Sequence, residues 1–171
     1  MNGQKLAEGS DYTLGSEEGL TVLAPPAAGF ELAIVVAVKP QDNTQLSGLY
    51  KTSGNYCTQC EAVGFRRITY FLDRPDVMST YTVRVEADKK LYPVLLSNGN
   101  LVSTEEFTLM DDGTAKEMHS SVWVDPFRKP AYLFALVAGD LVALEDSITT
   151  SPSNRNVELK IWTQSHNADK T

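Results

Sequence analysis

The sequence is most informative first in what it has little of. It contains two cysteines and two histidines in 171 residues. A disulfide-dense secreted scaffold is therefore excluded. A zinc centre needs about four ligands. Cys57 and Cys60 form a C-x-x-C, but there is no third or fourth thiol, and His119 and His166 stand far off without ligand spacing. H-E-x-x-H is absent, as are a phosphate-cradling glycine loop and a G-x-S-x-G elbow, and a serine triad needs a histidine near a nucleophile. Basic charge is scarce too: the net charge is −7. Nucleic acid and acidic lipid, which recruit basic stripes, are not expected partners. The longest apolar run, Leu32 to Val38, is too short to span a bilayer. The first residues, MNGQKLAEGSDY, contain no apolar signal segment, and the expected location is the cytoplasm.

What remains is an ordinary globular composition, 42% hydrophobic and 22% charged, enough for one domain with its own core. Helical periodicity is rare; Gly139 to Asp146 leaves room for a single turn. Strand patterns dominate. Short strands are expected at Asp11–Leu14, Leu20–Ala24 and Leu46–Lys51. In Phe30 to Val38 (FELAIVVAV) the even-numbered side chains share one face, which predicts a strand covered on one side and largely covered on the other. Tyr81, Val83, Val85 and Ala87 alternate with polar residues as in a half-buried strand. Val94–Leu96 runs into Ser97-Asn98-Gly99-Asn100, the strongest hairpin signal present. Asp111-Asp112-Gly113 is a second turn of that kind. Val122–Val124 reads as a strand broken by Asp125-Pro126, Tyr132–Ala138 as a buried central strand, and Val157–Ile161 as the last. The expected fold is all-β: an antiparallel β-sandwich or saddle-like sheet domain over residues 1–164, with a polar tail at 165–171.

One stretch, Tyr56 to Asp76 (YCTQCEAVGFRRITYFLDRPD), concentrates both cysteines, Glu61, Arg66-Arg67 and Asp73-Arg74-Pro75-Asp76. Its composition predicts two buried free thiols, with a thiol-redox pair as the alternative. One arginine is expected to pair locally and the other to face water. Asp111-Asp112 reads as a solvated loop tip rather than a cation site.

This stretch also carries a resemblance. Thr58-Gln59-Cys60-Glu61-Ala62, Asp73-Arg74-Pro75-Asp76, Tyr92 to Asn100 and Phe134 to Asp140 resemble the first domain of the zinc aminopeptidases of the bacterial aminopeptidase N (alanyl aminopeptidase) type. The likeness runs through nearly all of Phe30 to Ile161. It implies a β-rich, saddle-like domain. It also implies that zinc, H-E-x-x-H, G-A-M-E-N and the general base belong to a catalytic domain outside this chain, so that no catalytic residue and no bound cofactor are expected here. By the same resemblance, Gln59 and Glu61 belong to recognition of the substrate's free α-amine. Cys60 becomes a packed neighbour, and Asp73, Arg74 and Asp76 brace the fold. The chain then reads as a non-catalytic amino-terminal fragment, incomplete at its N-terminal end, with an open sheet edge that invites self-association. A free-standing β-sandwich module that binds a peptide or protein is the alternative.

Overall fold

The computed structural model describes residues 1–15 and 19–171. Among the described residues every strand-to-strand ladder is antiparallel, and one isolated parallel bridge joins Glu8 to Tyr12. β1 (Tyr12–Leu14) and β2 (Leu20–Val22) form a small ribbon. β3 (Gly48–Thr52) and β4 (Asn55–Gln59) are joined by a tight turn in which Ser53 and Gly54 take φ +47° and +85°. Two positive φ values match the right-handed twist of the flanking strands. β5 (Ser79–Asp88), β6 (Val94–Ser97), β7 (Asn100–Asp111), β8 (Thr114–Lys129) and β9 (Leu136–Gly139) follow. β10 (Val142–Thr150) and β11 (Arg155–Thr163) form a nine-pair ribbon.

Two of the sheets make the sandwich. One has the order β3-β4-β9-β6, the other β5-β8-β7. Val85 from β5 meets Leu95 of β6 and Ala138 of β9, with Tyr56, Val83, Ala87, Tyr92 and Leu136 around them. The inward residues come from the alternating positions of each strand, as sheet geometry requires. A second core lies at Cys60, Phe65 and Ala131, flanked by Ile68, Tyr81 and Phe134. The all-β sandwich-like expectation therefore holds.

Several local expectations do not. Phe30–Val38 forms no strand. A strand is a relation between chains, and among the described residues no strand lies beside this one to complete a ladder; Val35 is 97% exposed. Gly139–Asp146 holds no helical turn, because from Val142 onward every residue is paired with β11. An isolated helical turn would supply few bonds for the residues it orders. Asn98-Gly99 is a turn but not a hairpin. β6 pairs with β9 while β7 pairs with β8, so the turn carries the chain from one sheet to the other. Asn98 is tied elsewhere, its amide donating to the Leu133 carbonyl (3.1 Å) and its Oδ1 accepting from the Ala135 N–H (2.6 Å). The hairpin forms instead at Asp112-Gly113, with φ +46° and +79°. β8 also runs straight through Pro126. The β7 ladder ends at Val124, and the β5 ladder skips from Asp125 to Lys129. Pro126 therefore sits where no partner needs its missing N–H. Of Tyr132–Ala138, only the second half is strand; Ala131–Leu133 is a single 3-10 turn.

The crossing at Gly99 is sterically closed. Its φ is +87°, and a Cβ there would lie 2.3 Å from the Val124 carbonyl oxygen. Gly113 has a similar φ but open space around it. The left-handed region alone costs a non-glycine residue about 1–2 kcal/mol. Gly99→Ala should therefore lower stability by clearly more than that, while Gly113→Ala should cost no more than about 1–2 kcal/mol. Urea denaturation midpoints of the two variants check the difference.

Candidate functional site

β4 ends at Gln59, and the chain then leaves the sheet in a tight turn. The Gly64 N–H donates to the Cys60 carbonyl at 2.8 Å. Glu61, Ala62 and Val63 form the exposed tip of that turn, between buried Cys60 and buried Gly64. The Glu61–Ala62 peptide is cis. Gly64 has to be glycine for reasons of space: a Cβ would stand 2.3 Å from the Gln59 carbonyl oxygen and 2.9 Å from the Cys60 Cα. The turn folds flat against the end of β4 only because that side chain is missing.

The turn is held from below. Phe65 follows it directly, opens a 3-10 turn over Phe65–Arg67, and is 8% exposed. Its ring meets Phe71, Tyr81 and Phe134 edge-on at centroid distances of 5.1, 6.3 and 5.1 Å. Aromatic pairs in this geometry add about 0.5–1.5 kcal/mol each beyond burial. A polar clamp closes the rest of the loop. Asp73 is 5% exposed and accepts from the Arg66 backbone N–H (2.9 Å) and from Arg66 Nε (3.3 Å) through Oδ2. The Arg66 Nη2 donates to the Asp73 carbonyl at 2.7 Å. One residue thus satisfies a buried carboxylate with both its main chain and its side chain.

β4 is steadied on its other edge by Thr58. Its ladder with β9 covers only Tyr56↔Ala138 and Cys57↔Val137. Beyond that the Thr58 hydroxyl continues it, accepting from the Leu136 N–H (2.8 Å) and lying 3.4 Å from the Leu136 carbonyl. The sequence offered no signal for this role beyond a threonine next to Gln59.

The two residues expected to bind an amine are therefore neighbours on one exposed edge. Gln59 is exposed, and its Nε2 lies 3.4 Å from the Glu61 carbonyl oxygen. Glu61 is exposed, and among the described residues its carboxylate makes no ion pair. The nearby arginines are occupied: Arg66 by Asp73, and Arg67 by the Gln45 side chain. One arginine was expected to pair locally and the other to face water: Arg66 pairs with Asp73, and Arg67 is exposed. Of the acidic residues expected to brace the fold, only Asp73 is buried; Arg74 and Asp76 form a solvated pair with each other, a kind of pair worth little. The larger clefts lie elsewhere. One of about 590 Å³ is lined by the N-terminal segment and residues 31–35, another of about 480 Å³ by Asn55, Tyr92 and His166 among others.

The thiols fit packing rather than redox work. Both are free, Cys57 half-buried and Cys60 3% exposed. Burial pushes the Cys57 thiol up, and burial followed by the Asp73 carboxylate pushes Cys60 up to about 11. A reactive C-x-x-C requires the opposite shift. Among the described residues no three His, Cys, Asp or Glu side chains converge as a metal site, and the residues present do not fit a zinc ion.

The chain and its fold have counterparts among known proteins. The chain matches the Peptidase M1 N-terminal domain over residues 22–133. It is 47% identical over 154 residues to Aminopeptidase N of Escherichia coli, covering 90% of this chain and 17% of that protein. Against Aminopeptidase N of Caulobacter vibrioides it is 49% identical over 162 residues, covering 95% and 17%. Among solved structures, Legionella pneumophila aminopeptidase A in complex with aspartic acid superposes with a TM-score of 0.68 at 40% identity, over 75% of this chain and 14% of that one. The chain belongs to the Peptidase M1 N-terminal domain family. It spans about a sixth of the length of these relatives.

Cys60 supplies a measurable pH signature. Its thiol titrates near the usual 9.0 when unfolded and near about 11 when folded. With a raised folded value, its contribution to stability is full below pH 9.0 and is lost as pH rises toward about 11. Cys60→Ala should flatten the fall of the denaturation midpoint across that window. In the native protein at pH 8, iodoacetamide should label Cys57 well before Cys60. Equal labelling of both thiols would remove this account.

Proposed function

We propose that this chain is the amino-terminal domain of a zinc aminopeptidase, and that Gln59 and Glu61 help to hold the free α-amino group of a peptide substrate. The observation that carries the reading is an exposed carboxylate with no cationic partner among the described residues, fixed on a turn with a packed aromatic base. An α-ammonium has a pKa near ~8, so it is mostly charged at neutral pH. A charge-assisted hydrogen bond to it contributes about 1.5–3 kcal/mol. A blocked N-terminus forfeits that bond, which favours cleavage next to a free chain end. The Gln59 side chain can add a neutral bond beside it, of the weaker kind.

Zinc enters this proposal as a property of the longer enzyme. The family resemblance assigns its ligands, the general base and a second amine-binding glutamate to polypeptide outside these 171 residues. The role left to this domain is to bind and orient. Held by Glu61, the chain end sets which peptide bond can reach a hydrolytic centre one residue away.

Two measurements test this. In the full-length enzyme that carries this domain, Glu61→Ala should lower kcat/KM for unblocked peptides about ten- to hundred-fold, the loss expected for about 1.5–3 kcal/mol. Bound zinc should be unchanged, and Gln59→Ala should lose less. Unaltered kinetics for Glu61→Ala would take that residue out of the amine site. The 171-residue chain alone should release no p-nitroaniline from an alanyl anilide, with or without added zinc; turnover would show a hydrolytic centre within it.

A further inference from the structure

The loop that leads into β3 also grips the end of β4, and Asn43 organises that loop. Its side-chain amide donates to the Ser47 carbonyl at 2.8 Å and to the Leu49 carbonyl at 2.9 Å, and its Oδ1 accepts from the Gln45 N–H at 3.1 Å. Both amide protons of a half-buried side chain are thus spent on main-chain carbonyls of its own neighbourhood. These bonds hold a backbone that its residues do not all favour. Leu46 takes φ +54° and Gly48 takes φ +78°. The left-handed region is costly for leucine and open to glycine.

The loop delivers Gly48 to a crowded crossing. Gly48 is buried and is the partner of Gln59 in the β3–β4 ladder. Counted from Thr52↔Asn55, which closes the two-residue turn, Gly48↔Gln59 falls at a hydrogen-bonded pair. Leu49 falls at the other kind and directs its carbonyl away from β4, where the Asn43 amide receives it. A Cβ on Gly48 would stand 2.9 Å from the Arg67 Cβ and 3.2 Å from the Gly64 carbonyl oxygen. One on Gly64 would stand 3.1 Å from the Gly48 nitrogen. Two glycines therefore meet where the start of β3, the end of β4 and the returning chain cross. The loop takes a second hold through Gln45, whose Oε1 accepts from Arg67 Nη1. Gly48 sets the place of the Gln59 main chain, and Asn43 sets the place of Gly48.

We propose that Asn43 is a positioning residue for the amine-binding edge, acting through Gly48 on Gln59. This role rests on the amine-binding reading of Gln59 and Glu61. Asn43 touches no ligand in it; its three bonds fix where the Gln59 side chain presents its amide. A binding group has to be held within about 0.5 Å of its working place to keep its bond.

A double-mutant cycle in the full-length enzyme that carries this domain tests the coupling. Gln59→Ala, Asn43→Ala and the double variant are compared for kcat/KM on an unblocked alanyl anilide. Gln59→Ala should lower it about 2- to 13-fold, the loss of one neutral hydrogen bond. Asn43→Ala should lose part of that and no more. In the Gln59→Ala background it should lose almost nothing further. Circular dichroism and bound zinc should match the unaltered enzyme. Asn43→Asp keeps an acceptor for the Gln45 N–H and loses both donors, so it should repeat the pattern, and it serves where Asn43→Ala does not fold. A role confined to stability predicts either unaltered kcat/KM in the folded variants or losses that multiply with that of Gln59→Ala, and each result overturns the proposal. If Gln59→Ala and Glu61→Ala both leave the kinetics untouched, the amine-binding reading fails and takes this role with it. If they lower kcat/KM while Asn43→Ala behaves independently, that reading stands and this role alone falls.

Discussion

The exposed edge at Gln59 and Glu61 depends on one buried carboxylate. Asp73 lies thirteen residues or fewer from every member of the turn it stabilises, and its Oδ2 is satisfied by the main chain and side chain of Arg66. Asp73 is buried while the Arg66 side chain is half exposed, so loss of the guanidinium strips a buried carboxylate of its cation and leaves it the main-chain N–H bond alone. The clamp does more than close a loop. It consumes the arginine nearest in sequence to Glu61, and Gln45 takes the next one. Two acidic side chains a dozen residues apart thus meet opposite fates. One is buried and paired with a cation; the other is exposed and has no ion-pair partner among the described residues.

That division sits on an apolar base. Phe65 begins the segment after the turn and is also the hub of an aromatic cluster that includes Tyr81 from β5 and Phe134 from the approach to β9. Both layers of the sandwich therefore contribute to the floor beneath the turn. Thr58 ties the outgoing strand to β9 on one side, and Gly64 lets the returning chain lie against Gln59 on the other. A binding group on such a base loses little conformational freedom when it engages a ligand. Short turns are otherwise the most mobile parts of a domain.

The strands with period-two alternation were legible because alternation is local. β5 reads directly from Tyr81, Val83, Val85 and Ala87, and the turn at Asp112-Gly113 from its residue types. What the chain order could not reveal was which strand each one joins. Asn98-Gly99 has hairpin chemistry, yet the side chain of Asn98 is claimed by Leu133 and Ala135, more than thirty residues away, and the chain passes to the other sheet. Pro126 breaks a strand only where its N–H is wanted, and whether it is wanted depends on the lengths of β5 and β7. Phe30–Val38 is the clearest instance. Its residues say strand, but strand formation needs a neighbour, and among the described residues none lies beside it. At the candidate site, Gln59 and Glu61 were singled out through a family motif, which the geometry only shows to lie on one exposed edge; Asp73 was singled out through its place beside Arg74-Pro75-Asp76, and it is buried. The roles of Thr58 and Gly64 appear only once β4 is seen against β9 and the turn.

The net charge of −7 acts in opposite ways on a cationic ligand and on a second copy of the chain. A negative field draws cationic ligands toward an acidic edge and raises their local concentration, so under the proposed amine-binding role overall charge and the Glu61 carboxylate would act together. For two copies of the chain the same field is repulsive, and a contact between them has to overcome it. Salt then separates the two effects: screening weakens attraction of an amine from a distance, but it relieves the repulsion between like-charged domains.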